Sequence, residues 1–347
     1  MGRVSERFWQ AGAATGVGSM PGTDAAETAA VVVGELPALP HLPELPARGL
    51  GADMLGRTAA MLVDLAVEVV PSGYRVTARQ GRHHRRALDL LRWDVDAFAE
   101  AVERAGAPGV VKTQAAGPWT LAAGIETARG HRVLTDRGAT RDFAESLVEG
   151  LTAHVAELRA RTGAKVVVQL DEPTLPSVLA GALPTASGYG TVPSVQEPEA
   201  RELLAGVISA LGRATGTPVI VHCCAARPPV GLLHGAGAGA LSLDATLLAG
   251  APAALLDEIG TAWDAGTSLL LGLVPAKEPE TRGELRELAA PALALADQLG
   301  FNRSILAERA VPTPVCGLAG ATTGWARRAL ALTRDLGKAF VEPPESW

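Results

Sequence analysis

Cysteine, tyrosine and phenylalanine are all scarce in this chain: three, two and five among 347 residues, with aromatic residues 4% of the total. Three cysteines, two of them adjacent, do not make a disulfide framework. A core poor in rings must be built from Ala, Val, Leu and Ile, the residues of alternating strands and helices, and a 48% hydrophobic content supplies enough of them to bury a large one. No stretch of ~20 apolar residues runs without a charge or a turn, so no membrane span is expected. The opening MGRVSERFWQ has no apolar run resembling a signal peptide, and the expected location is the cytoplasm. Positive charge is not in excess either. A net charge of −6 removes any general electrostatic reason to bind nucleic acid or an anionic membrane. The one basic cluster, RQGRHHRR at 79–86, reads as a solvated segment leading into a helix or as a contact for an anionic substrate tail.

What the chain does have is alternation. Short apolar runs alternate with longer helical patterns along nearly its whole length, which argues for parallel strands with helical crossovers. Candidate strands are ATGVGS (14–19), a weaker ELPAR (44–48), GVVKTQ (109–114), KVVVQLD (165–171), PVIVHCC (218–224), ALSLD (240–244), SLLLGLV (268–274) and ILAERAV (305–311). Eight strands are what a closed barrel needs. Between them, Leu88, Leu91, Val95, Phe98 and Val102 recur at helical spacing, as do Phe143, Leu147, Leu151, Val155 and Leu158. The expected architecture is a single α/β domain over 1–347, a (β/α)8 TIM-type barrel, with an open doubly wound sheet as the alternative. The Pro-, Gly- and Ser-rich stretch 176–197 follows the fourth strand and reads as an active-site loop insertion. GAGAGA at 235–240 precedes a strand instead of joining a strand to a helix, so the dinucleotide fingerprint fails.

Polar residues gather where strands end. In VIVHCC, residues two apart share a side, so His222 and Cys224 can face one site while Cys223 faces the other way. Imidazole and thiolate are good zinc ligands, and two further candidates stand near other strand ends: Asp244, closing ALSLD, and Cys316 in VPTPVCGLAG. Metal binding and simple burial of small side chains both account for the cysteines. Asp244 reads equally as the cap of the next segment. Asp171 and Glu172 end KVVVQLDEP, where they could bind a cationic amine or act as acid and base, or simply cap a turn. Gly18 and Ser19 in GVGSMPGTD offer backbone N–H groups and a hydroxyl to an anion, or form a tight turn.

VGSMPGT at 17–23, GPWT at 117–120, LDEPTL at 170–175, His222 with Cys224, and PVCGL at 314–318 together resemble the cobalamin-independent methionine synthase family, in its catalytic C-terminal barrel and single-domain relatives. The pieces come in the family's order and cover almost the whole chain. The resemblance implies that His222, Cys224 and Cys316 bind zinc, with Asp244 where the family usually has glutamate. It also implies that homocysteine sulfur enters as a ligand, that Gly18 and Ser19 take the amino-acid carboxylate, and that Asp171 takes its ammonium group. A bound zinc stabilises a thiolate at neutral pH, a nucleophile for an activated methyl group.

The sequence departs from the family pattern in three places. Asp244 is one methylene shorter than glutamate. The family's second amine-binding acid has no match in GLGADMLGR at 49–57, and the histidine that follows its seventh strand is missing from LLGLVPAKEP at 270–279. No N-terminal duplicate barrel is seen. The implied activity is zinc-dependent methylation of homocysteine to methionine, with a methyl-corrinoid or methyltetrahydrofolate as donor, through a helper protein in some relatives. Alternatives are a methyltransferase acting on another thiol such as coenzyme M, a uroporphyrinogen decarboxylase-like enzyme, hinted at only by the arginine cluster, and a non-catalytic zinc or amino-acid binding protein.

Overall fold

The computed structural model describes residues 8–185, 188–281 and 283–342. The chain start through residue 7, residues 186–187 of the expected loop insertion, residue 282 and residues 343–347 lie outside the described residues. Strands occur, in chain order, at β1 (Ala66–Val70), β2 (Gly73–Thr77), β3 (Val110–Ala116), β4 (Ile125–Glu126), β5 (Lys165–Asp171), β6 (Ile220–His222), β7 (Ala240–Asp244), β8 (Ser268–Val274) and β9 (Ala310–Pro314). Six of them form one curled parallel sheet in the order β3-β5-β6-β7-β8-β9. Their apolar residues, among them Val166, Val168, Val221, Leu241 and Leu271, are fully buried, as in a parallel sheet covered on both faces.

The covering helices start and stop where their caps dictate. Asp136 accepts the N–H of Ala139 at 3.1 Å and opens Arg137–Thr162, which Gly163 ends in a left-handed conformation with φ 68°. The apolar stripes at 88–102 and 143–158 both face the core, with Phe98, Val102, Leu147, Leu151 and Leu158 wholly buried.

The first two expected strands are not ladders. Residues 14–19 run extended, but their contacts are single: Thr15 N–H donates to Pro312 O at 3.3 Å, and Ser19 makes an isolated parallel bridge to Glu44. His41 makes another to Lys112 of β3. Two irregular segments therefore span from β9 to β3 across the sheet's open side. The two segments pack closely: the His41 ring lies against Gly16 so near that a Cβ there would sit 2.2 Å from it, which requires glycine at that position. ELPAR is a bridge residue followed by a 3-10 turn at Pro46–Arg48 and not a strand. The last expected strand is displaced: Ser304–Arg309 is helical, and β9 begins at Ala310. A small second sheet, β1-β2-β4, was not expected. Its antiparallel hairpin pairs Ala66 with Thr77 through Val70 with Gly73.

The segment at 176–197 is partly ordered by its own hydrogen bonds. A short helix, Leu175–Ala180, is followed by a loop in which Val192 N–H donates to Leu183 O at 2.8 Å and Val195 N–H to Val178 O at 3.2 Å. A long helix then starts at Glu197. No helix among the described residues is long and apolar enough to cross a membrane.

Candidate metal and amino-acid site

Register sets the site's floor. Ala116 pairs with Asp171, Asp171 with His222, and His222 with Ser242, so the carboxyl ends of β3, β5, β6 and β7 present these residues at one level. His222 is buried, and its Nδ1 lies 2.9 Å from Ser242 Oγ, a hydrogen bond that orients the ring and leaves Nε2 to face outward. Beyond the strand end the alternation continues. Cys223 is wholly buried in the apolar core, while Cys224 returns to the side of His222.

Cys316 arrives from the turn after β9. Its Sγ stands 3.7 Å from Cys224 Sγ, and the ligand atoms of His222, Cys224 and Cys316 all lie within 4.8 Å of one another. The contact with Cys224 and a hydrogen bond with His222 draw the Cys316 thiol downward, while the same contact and burial push Cys224 upward. One imidazole and two thiols, one of them easily ionised, form a donor set that fits zinc with a coordination position left open.

Asp244 is not brought into this group. Its Oδ1 accepts the N–H of Thr246 at 3.0 Å and the Thr246 hydroxyl at 2.6 Å, so the carboxylate caps the turn Ala245–Leu247. Of its two sequence readings, the cap is the one the geometry displays.

Glu172 is engaged by the segment that follows β3. Oε1 accepts Trp119 N–H at 2.9 Å, and Oε2 accepts Thr120 N–H at 2.8 Å and Thr120 Oγ–H at 2.7 Å. The wholly buried carboxylate thus satisfies the open N–H groups of the helix Pro118–Gly124. A Cβ on Gly117 would stand 2.4 Å from Oε1, which explains the glycine of GPWT. Burial pushes Glu172 up to about 7, against the pull of the three donors.

Asp171 stays available. It is buried, and Gln169 Nε2 donates to its Oδ1 at 2.7 Å; no partner occupies Oδ2 among the described residues. Burial raises its carboxyl, and the nearby His222 and Lys112 partly restore the charged form. Ser19 is tied to the loop of Cys316, because Leu318 N–H donates to Ser19 O at 2.7 Å. Gly18 O accepts Glu44 N–H at 3.2 Å.

Glu44 is a buried acid beside these residues that sequence reasoning passed over. It sits beside Ser19 across the isolated bridge, is 5% exposed, and shares its field with Asp171, Arg57 and Lys112. Burial pushes it up to about 7, with Arg57 drawing it down and Asp171 raising it further. A carboxyl hidden among the prolines of PHLPELP has no periodic signal; only its charge within an otherwise apolar run marked it.

A groove of about 820 Å³ lies between the helices Arg137–Thr162 and Glu197–Thr215, and neither the thiols, His222, Asp171 nor Glu44 lines it.

A curled parallel sheet flanked by helices, with thiols and an imidazole gathered at its carboxyl edge, defines a TIM-like α/β protein with a candidate metal centre. A family model of the cobalamin-independent synthase catalytic domain matches residues 12–339, and the chain belongs to that family. No curated protein matches its sequence. Among solved structures, a putative vitamin-B12 independent methionine synthase from Listeria monocytogenes is similar in fold, with TM-score 0.56 and 15% identity over 95% of this chain and 99% of that one. A methyltransferase from Methanosarcina mazei gives TM-score 0.51 and 16% identity over 92% and 93% of the two chains. A B12-independent methionine synthase from a Shewanella species, in complex with selenomethionine, aligns at 15% identity and TM-score 0.46 over 70% of this chain. The chain spans 66% of that protein's length.

Proposed function

We propose that this protein is a zinc-dependent methyltransferase that moves a methyl group to the thiol of homocysteine, giving methionine. The observation that carries the reading is the meeting of His222, Cys224 and Cys316 within 4.8 Å, on the same strand-end level as the half-free carboxylate of Asp171. The whole chain forms one catalytic domain in this reading, with segments 14–19 and 40–45 as the first two positions of an eight-stranded barrel and 176–197 as the loop insertion after the fourth.

His222, Cys224 and Cys316 would hold the ion, and zinc bound there would stabilise the substrate's thiolate at neutral pH. Asp171 receives the ammonium group through its open Oδ2, and Glu44 supplies a second negative charge close by. Ser19, held to the Cys316 loop, offers its hydroxyl to the substrate carboxylate, with the Gly18 backbone beside it. These contacts orient the sulfur, whose lone pair forms the new bond to the methyl carbon as the bond between methyl and donor breaks. Orienting both partners converts much of an association cost into binding. In this reading the protein works in the cytoplasm, with a methyl-corrinoid or a methylated folate as donor, delivered by a helper protein.

Metal analysis of the purified protein followed by calorimetric titration with homocysteine tests this reading. One zinc per chain and homocysteine binding that vanishes on metal removal are expected; binding unaffected by chelation would overturn it.

A further inference from the structure

A lysine lies where an apolar barrel interior would ordinarily have none. Lys112, in the middle of β3, is wholly buried, and its Nζ reaches Val17 O at 2.8 Å, Gln169 Oε1 at 2.8 Å and Gln114 Oε1 at 3.3 Å. An ammonium group has three donors and no acceptor, so all three of its hydrogens are placed on oxygen.

A glutamine amide can face either way in its slot, and the ammonium decides which. Facing Lys112, Gln169 must present oxygen, which turns its NH₂ to the opposite side. There the two hydrogens reach Val17 O at 2.9 Å and Asp171 Oδ1 at 2.7 Å. The reversed amide would set NH₂ against an ammonium and oxygen against both a carbonyl and a carboxylate. Every donor of the Lys112–Gln169 pair is thus used, and the relay ends on one oxygen of Asp171. The other oxygen stays open. The same lysine grips the carbonyl of Val17, next to Gly18.

We propose that Lys112 is a positioning residue for the amine subsite: by fixing the direction of the Gln169 amide, it holds the Asp171 carboxylate in place for the substrate's ammonium group. This inference rests on the homocysteine reading given above.

The test compares two thiols of equal length, homocysteine and 4-mercaptobutanoate, which keeps the thiol and carboxylate and lacks the amine. Calorimetric titrations of the zinc-loaded protein, its Lys112→Met and Gln169→Met variants and the double variant are expected to show homocysteine affinity falling roughly tenfold in each single variant, the scale of a lost charge-assisted hydrogen bond. Affinity for 4-mercaptobutanoate should stay within about twofold. The double variant should be no weaker than the weaker single one, since residues acting in series are not additive. Equal weakening of both thiols, or losses that multiply in the double variant, would overturn the inference. A wild-type protein that binds the two thiols alike removes the amine subsite itself, and the inference with it. A wild-type preference for homocysteine that survives intact in the variants sinks the inference alone. If Lys112→Met does not fold by circular dichroism, Gln169→Met carries the same comparison.

Discussion

Glu172 accepts two hydrogen bonds from Thr120, one from its backbone N–H at 2.8 Å and one from its hydroxyl at 2.7 Å, both on the same oxygen. Two motifs far apart in the chain, GPWT and LDEP, are halves of one brace. Glu172→Gln turns an NH₂ toward groups that are themselves donors, so folding stability should fall by ~1–3 kcal/mol, the cost of leaving buried donors unpaired. Thermal unfolding measures it. An unchanged melting temperature with abolished turnover would assign Glu172 the part of a catalytic acid instead.

Cys224→Ser and Cys316→Ser should each lose the bound metal, while Cys223→Ser, whose side chain points into the apolar core, should retain it. Metal content per chain, determined on the purified variants, decides. Loss of zinc from Cys223→Ser alone would mean that the strand-end alternation is broken.

Asp171→Asn keeps the shape of the side chain and removes its charge. Homocysteine affinity should fall by ~1.5–3 kcal/mol, with zinc content unchanged. A dissociation constant equal to wild type would take Asp171 out of the amine subsite.

Glu44 adds a pH dependence. Its carboxyl, pushed up to about 7 mainly by burial, is neutral below that pH and charged above it. A cationic amine is therefore bound more tightly as pH rises through about 7, over and above any effect of thiol ionisation. Titrations at several pH values between 6 and 8 should show a steeper gain for wild type than for Glu44→Gln. Parallel profiles would show that Glu44 does not face the ammonium group.

The donor should follow from what stands after β8. A folate leaving group must be protonated as its methyl departs, and residues 270–279 carry no histidine; Lys277 there is exposed. A methyl-corrinoid needs no such proton. Methylation of homocysteine by the isolated protein is expected to run faster from methylcobalamin than from methyltetrahydrofolate, with folate activity requiring an added protein. Efficient turnover of the folate donor by the isolated chain would reverse that assignment.

Much of the sheet was legible because parallel strands are read as unbroken apolar runs: KVVVQLD and SLLLGLV appear in the structure with the bounds their composition gives. The last strand was misplaced because VPTP, with two prolines, reads as a poor strand. Pro312 O accepts from Thr15, so the ring nitrogens of Pro312 and Pro314 turn to the side where no ladder needs a donor, and the prolines are harmless there. The hairpin β1-β2 did carry a signal, the alternation of Val67 and Val69 with Tyr74 and Val76 around Pro71-Ser72, hidden by the stronger helical pattern that follows. At the site, His222, Cys224 and Cys316 were recoverable from residue type and strand-end position. Glu44 was not, because it is placed by an isolated bridge and not by a repeating pattern.

The two thiols of the candidate centre are 92 residues apart in the chain, and they meet only when the turn beyond β9 has closed against the end of β6. A small zinc module gathers its ligands from one short stretch and folds around the metal. Here the chain has a large apolar core of its own, built from residues outside the metal-ligand group. If this group holds the proposed zinc, metal uptake would follow folding, and the loaded fraction of molecules would track free zinc concentration by mass action. Scarcity of the ion would then idle the protein without unfolding it.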